Sequence, residues 1–175
     1  MIVEETLLRT VFSQLPPYTA ADTKSYQIRY EWGSQKDLLL FIQKQTGNKY
    51  PLVWLEEGES EQSDTMHKST KQARLFLAKN SENKTARNPT VWDSEFVDCL
   101  NPLLKNVITA LRKSGVTTID ESRMWKVKRR ANFTEVSNED LAKAMDIWNV
   151  IVLDIFIIFT EKANGEPDCI KTIKF

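Results

Sequence analysis

The chain has 175 residues, with 24 Lys+Arg against 24 Asp+Glu. That length suits one domain with a real core, and the balanced charge removes any global pull toward nucleic acid or a membrane surface, so an electrostatic partner has to be met by a local patch. One histidine and two cysteines outside any C-x-x-C spacing leave almost no material for a zinc site or a disulfide framework.

In chain order, Val3, Leu7, Leu8, Val11, Phe12 and Leu15 recur at helical spacing and predict a helix over 2–15. Glu4 and Glu5 favour its first turn and Pro16-Pro17 stops it. No basic stretch precedes an apolar core here, so no signal peptide is expected. Tyr26, Ile28, Tyr30 and Trp32 alternate with Gln27, Arg29 and Glu31, which predicts a strand with an aromatic face, ended by Gly33. Ser34 is placed to cap a second helix, closed by Gly47.

"KYPLVWLEEG" (49–58) holds a short apolar strand, 51–55, that runs into polar sequence. Residues 56–71 carry almost no apolar side chains and read as a long exposed loop or a hairpin tip. The strand 72–80 follows and is expected to pair antiparallel with 51–55. Residues 88–115 form the longest helical stretch, and Asn101-Pro102 should kink it or split it. In "RMWKVKRRAN" (123–132), Lys126, Lys128 and Arg130 face one way, and Trp125, Val127 and Arg129 face the other. "WNVIVLDIFIIF" (148–159) is too short to span a bilayer as a helix, and the near-continuous apolarity of "WNVIVLDIFIIFTEK" (148–162) predicts a long central strand buried on both faces, interrupted by Asp154. "SNEDLAKAMD" (137–146) reads as a turn or short helix, and "IKTIKF" (170–175) as a last edge strand. The expected fold class is α+β: helices packed on a mostly antiparallel β-sheet, in one domain covering 1–175.

Chemical motifs are scarce. There is no glycine-rich phosphate loop and no G-x-S-x-G elbow. A nucleophilic Cys99 or Cys169 would need a histidine base, and the single one, His67, lies in the polar run. The acidic residues Glu56, Glu57, Glu59, Glu61 and Asp64 lack the order of a calcium loop and read as a solvated surface. Asp154, with Glu161-Lys162 beyond it, lacks the alternate-residue placement that aims two side chains at one metal. The sharpest feature is basic: Arg123, Lys126, Lys128, Arg129 and Arg130 beside Trp125. It serves either contact with phosphate or an acidic protein surface, or protection of a sheet edge by charge. Five tryptophans also suit a protein that buries surface against partners.

The order of elements adds a resemblance. A first helix leads to "YPLVWL", a polar excursion and "LFLAKNS". A long helix ending "LKNVITALRKSG", a basic strand and "DIWNVIVLDI" follow. This pattern, across most of the chain, resembles the tail-terminator and tail-completion proteins of double-stranded DNA phages. The resemblance implies a non-enzymatic structural subunit of the virion neck or tail, assembled in the host cytoplasm. It implies a homo-oligomeric ring, sixfold or twelvefold, stacked on portal, neck or tail ring proteins. It implies no cofactor, metal, membrane or small-molecule substrate, and at most a passing contact with packaged DNA. The interface candidates are Arg123, Trp125, Lys126, Lys128, Arg129 and Arg130, with Glu56, Glu57 and Glu59 in the polar run. The alternatives are a nucleic-acid-binding module using strand 123–130 and a metal-dependent enzyme around Asp154 and the acidic run.

Overall fold

The structure, a computed structural model, describes residues 4–20, 24–44, 49–58, 60–62, 68–80, 92–133, 148–160 and 170–175. Its elements in order are α1 (Glu4–Phe12), β1 (Tyr18–Thr19), β2 (Ser25–Tyr26), β3 (Arg29–Gly33), α2 (Gln35–Lys44), β4 (Leu52–Glu56), β5 (Ser60–Gln62) and β6 (Lys68–Asn80). A π-helical segment (Asp93–Leu100) then leads into α3 (Asn101–Lys113), β7 (Thr117–Ile119), β8 (Lys126–Phe133) and β9 (Trp148–Thr160). The fold is α+β on a mostly antiparallel sheet, as the patterning predicts.

Strands β6 and β9 form the spine. Each has thirteen residues and they pair along their whole length, from Lys68↔Thr160 to Asn80↔Trp148, a span of about 43 Å at the usual rise. On one side of β6 lie β4 and then β3, the single parallel pair among the described residues, with β5 continuing the hairpin. The outer side of β9 is shared: β8 pairs with its first half and β7 with residues 157–159.

Period two in β9 sends side chains to two different environments. Ile151, Leu153, Ile155, Ile157 and Phe159 join one core with Val53, Leu55, Leu75 and Leu77, covered by α1, the π-helical segment and α3. Trp148, Val150 and Val152 join a second core with Trp54 and Phe76, covered by Leu38 and Ile42 of α2. The first face is covered throughout. The second is covered only as far as Val152; beyond it Asp154, Phe156 and Ile158 are half-buried. Burial on both faces therefore holds for one half of β9.

The expected antiparallel pairing of the strands around 51–55 and 72–80 is present, with Val53 opposite Leu77. Ser34 and Asp37 form the expected cap of α2, the Asp37 carboxylate accepting from the Ser34 backbone N–H at 2.9 Å and the Ser34 hydroxyl from the Asp37 N–H at 3.3 Å. At Asn101-Pro102 the helix changes winding instead of kinking. The Asn101 N–H reaches back to the Phe96 carbonyl in the wide pattern, and α winding starts there. Pro102, with no N–H to donate, sits at that junction.

Several expectations are corrected. The aromatic strand is broken at Gln27–Ile28, so Tyr26 stacks on Tyr18 in a separate ribbon while Tyr30 and Trp32 stay in the main sheet. In the polar run the hairpin alternative holds for the described parts: β5 and the start of β6 pair as Ser60↔Lys71 to Gln62↔Ser69, since backbone pairing does not need apolar side chains. Strand β7 carries no period signal in its three residues. Residues 170–175 are not a strand: their backbone is held by Ser114 O and the Gln14 side chain. The short helix or turn expected at 137–146 lies outside the described residues.

Candidate functional site

The basic strand lies where its alternation predicts. Val127 and Arg129 fall on the first face, where Trp125 and Val127 pack against the core and Arg129 Nε donates to Asn101 Oδ1 at 3.0 Å. Lys126 and Lys128 fall on the second face, opposite Asp154 and Val152 of β9. Lys126, Lys128, Arg129 and Arg130 are all exposed. Among the described residues β8 pairs with β9 alone, so it is an edge strand.

Where α2 stops covering the second face, four strands contribute alternating charges. Glu56 of β4 lies 3.3 Å from Arg74 Nη1 of β6, Arg74 Nε donates to Asp154 Oδ1 of β9 at 2.7 Å, and Lys128 Nζ of β8 stands 3.5 Å from Asp154 Oδ2. Burial by itself raises the Asp154 pKa. The Arg74 hydrogen bond and the charges of Arg74 and Lys128 overcome it, so the carboxyl titrates below its ordinary value. An ionised carboxylate held from both sides aligns strands; it has no proton to give at neutral pH.

This charged row borders an open groove of about 430 Å³ whose walls include Glu57, Gln72, Arg123 and Phe156. The Arg123 guanidinium lies 4.7 Å above the Phe156 ring, with Nε 3.3 Å from Asp120 Oδ2. Of the sequence candidates, Glu56, Glu57, Arg123 and Lys128 thus come together on one face. Trp125 and Arg129 turn to the other, and Glu59 lies outside the described residues. Two further carboxylates, Glu5 and Asp37, join Trp32 and Glu57 around a second groove of about 460 Å³ at the β3 side of the sheet.

Sequence reasoning missed Arg74, the hinge of the charged row. Its only signal is a charge at the polar phase of a strand, and its partner is eighty residues away. It also missed Lys71, which sits 3% exposed beneath α1, paired with Glu5 and 3.6 Å from Glu4, while Ser69 donates to Glu4 at 2.7 Å. The Tyr30 hydroxyl is buried nearby, without a hydrogen-bond partner among the described residues; burial, with Glu5 adding to it, pushes its pKa up. Cys99 is buried, and burial pushes its thiol up to about 12. Among the described residues, no three His, Cys, Asp or Glu side chains gather as a metal-holding group, and His67 and Cys169 lie outside those residues.

No protein-family model matches the chain. No curated protein matches it either.

Proposed function

We propose that this chain is a structural subunit of a double-stranded DNA phage particle. It closes into a ring in the neck or tail, as a tail terminator or head-to-tail connector, and stacks on neighbouring rings without a catalytic step of its own. The supporting observation is the basic edge strand β8. It presents Lys126, Arg129 and Arg130 outward from a sheet on which Glu56, Arg74, Asp154 and Lys128 already neutralise one another. An edge strand offers unpaired backbone groups to a neighbour, and a repeated heterologous contact that closes by rotation is a ring. The resemblance in element order supplies the biological setting.

Quantitative mass spectrometry of purified particles tests this reading. A fixed copy ratio to the portal protein, of the kind a symmetric ring requires, is expected. Absence from clean particles removes it. Affinity for DNA that falls steeply with salt, in the isolated chain, would instead favour a nucleic-acid module built on the same strand.

A further inference from the structure

The sheet has two outer long strands, β3 and β8, and among the described residues neither has a strand on its outer side. Their directions follow from the ladder. β3 runs with β4, β4 against β6, β6 against β9, and β9 against β8. β3 and β8 therefore run in opposite directions. A second copy, turned about an axis along the strands, brings its β8 antiparallel to β3 of the first, which is the pairing sense of most of this sheet. The lengths are compatible: the five residues of β3 match Lys126–Arg130.

The side chains match in part. On the second face, Glu31 of β3 would meet Lys128 with Lys126 diagonal to it, while Arg29 would fall opposite Arg130. On the first, Trp32 would meet Val127, so the charge match is carried by Glu31 and by the groove beside Trp32. The groove beside Trp32 is lined by Glu5, Asp37 and Glu57, and among the described residues every ionisable side chain in its wall is a carboxylate. Cations do stand near it. Arg9 Nη2 lies 2.6 Å from Glu31, with its guanidinium 4.7 Å from the Trp32 ring, and Lys71 is buried beneath Glu5. The Arg9 pair is exposed, and exposed pairs exchange partners readily. A β8-to-β8 contact is disfavoured, because it sets lysines and arginines opposite one another.

We propose that the β3 edge of one copy is the docking site for the basic β8 edge of the next, head to tail, and that these two edges suffice to hold copies together. The proposal rests on the ring reading above and names its contact. β-Strand addition of this kind takes affinity from the backbone and specificity from charge.

Two reversed variants test it: Lys126→Glu with Arg129→Glu on the β8 edge, and Glu31→Lys with Glu57→Lys on the β3 edge. All four positions avoid the Arg74–Asp154–Lys128 contacts, and a cooperative urea transition checks that each variant folds. Self-association is read by sedimentation velocity at low salt. The wild type should associate, and each variant alone should associate about tenfold more weakly or worse. An equimolar mixture of the two should associate again, because each reversed edge then faces an edge of opposite sign. Rescue by mixture cannot come from a misfolded subunit. Failure of the mixture, or a β8 variant that associates by itself as strongly as the wild type, overturns the head-to-tail contact. A wild type that stays monomeric up to its solubility limit also overturns it, since the edges then do not suffice. That result leaves the ring reading standing if the chain keeps a fixed copy ratio in particles.

Discussion

Arg74 and Asp154 stand directly opposite one another on the two central strands, and Arg74 Nε donates to Asp154 Oδ1 across 2.7 Å. The pair marks the boundary where the second face of the sheet changes character. On one side, Phe76 and Val152 are core; on the other, Gln72 is exposed and Phe156 half-buried. Because Glu56 and Lys128 extend it outward, one carboxylate in an apolar strand ties four strands in register.

Asp154→Asn should therefore cost stability, though modestly, since the Arg74 and Lys128 side chains are nearly half exposed and solvent screens them: about 1 kcal/mol at neutral pH. The pH dependence has a definite sign. The folded-state pKa lies below the unfolded one, so the contribution is present above the unfolded value and is lost as pH falls through the folded one. Urea midpoints of wild type and variant should converge in acid. A gap that stays constant with pH would sink the ion-pair account.

Lys71→Met should be more damaging. It removes the cation from beneath α1 and leaves Glu4 and Glu5 facing a buried, uncharged side chain, a loss of about 3 kcal/mol. Burial alone raises Glu5, but the Lys71 hydrogen bond, a backbone hydrogen bond and the Lys71 charge together outweigh it and hold the group low. Adding Glu5→Gln should thus recover part of the loss. A double-mutant cycle showing simple additivity would mean that the two residues do not act as a pair.

Gly33→Ala tests the turn into α2. Gly33 has φ +145°, a region that side chains disfavour, and a Cβ there would stand 2.8 Å from the Asp37 Cβ. The substitution should strain the backbone and push Asp37 off its cap, for about 2 kcal/mol. A thermal midpoint unchanged from wild type would contradict this geometry.

Cys99 should be inert while the chain is folded. With its thiol pushed up to about 12, the thiolate fraction at pH 8 is roughly one in ten thousand, and the sulfur is shielded as well. Iodoacetamide followed by peptide mass spectrometry should find Cys99 unmodified in the native chain and modified in urea. Ready native labelling would show that the π-helical segment opens.

The candidate surface is partly legible in the sequence. The faces of Lys126, Lys128 and Arg129 follow from it because a strand's alternation is local, and the β4–β6 hairpin follows from two apolar runs flanking a polar one. Arg74 was not legible as a partner of Asp154. A lone arginine in a strand looks the same whether it points to solvent or spans to a carboxylate, and only the register of β6 against β9 decides. Lys71 was hidden for a similar reason: a polar stretch does not announce that one of its lysines will lie under a helix carrying two glutamates.

The amino-acid sequence by itself determined the helices, most of the strands and the two faces of β8, because each depends on spacing within a few turns or pleats. Only the tertiary structure decided that the second face is covered by α2 for half its length and that Tyr26 leaves the sheet that Tyr30 joins. It also decided that Glu56, Arg74, Asp154 and Lys128 form one row. Those outcomes rest on pairing between residues far apart in the chain, where a shift of one position would send every side chain to the opposite face.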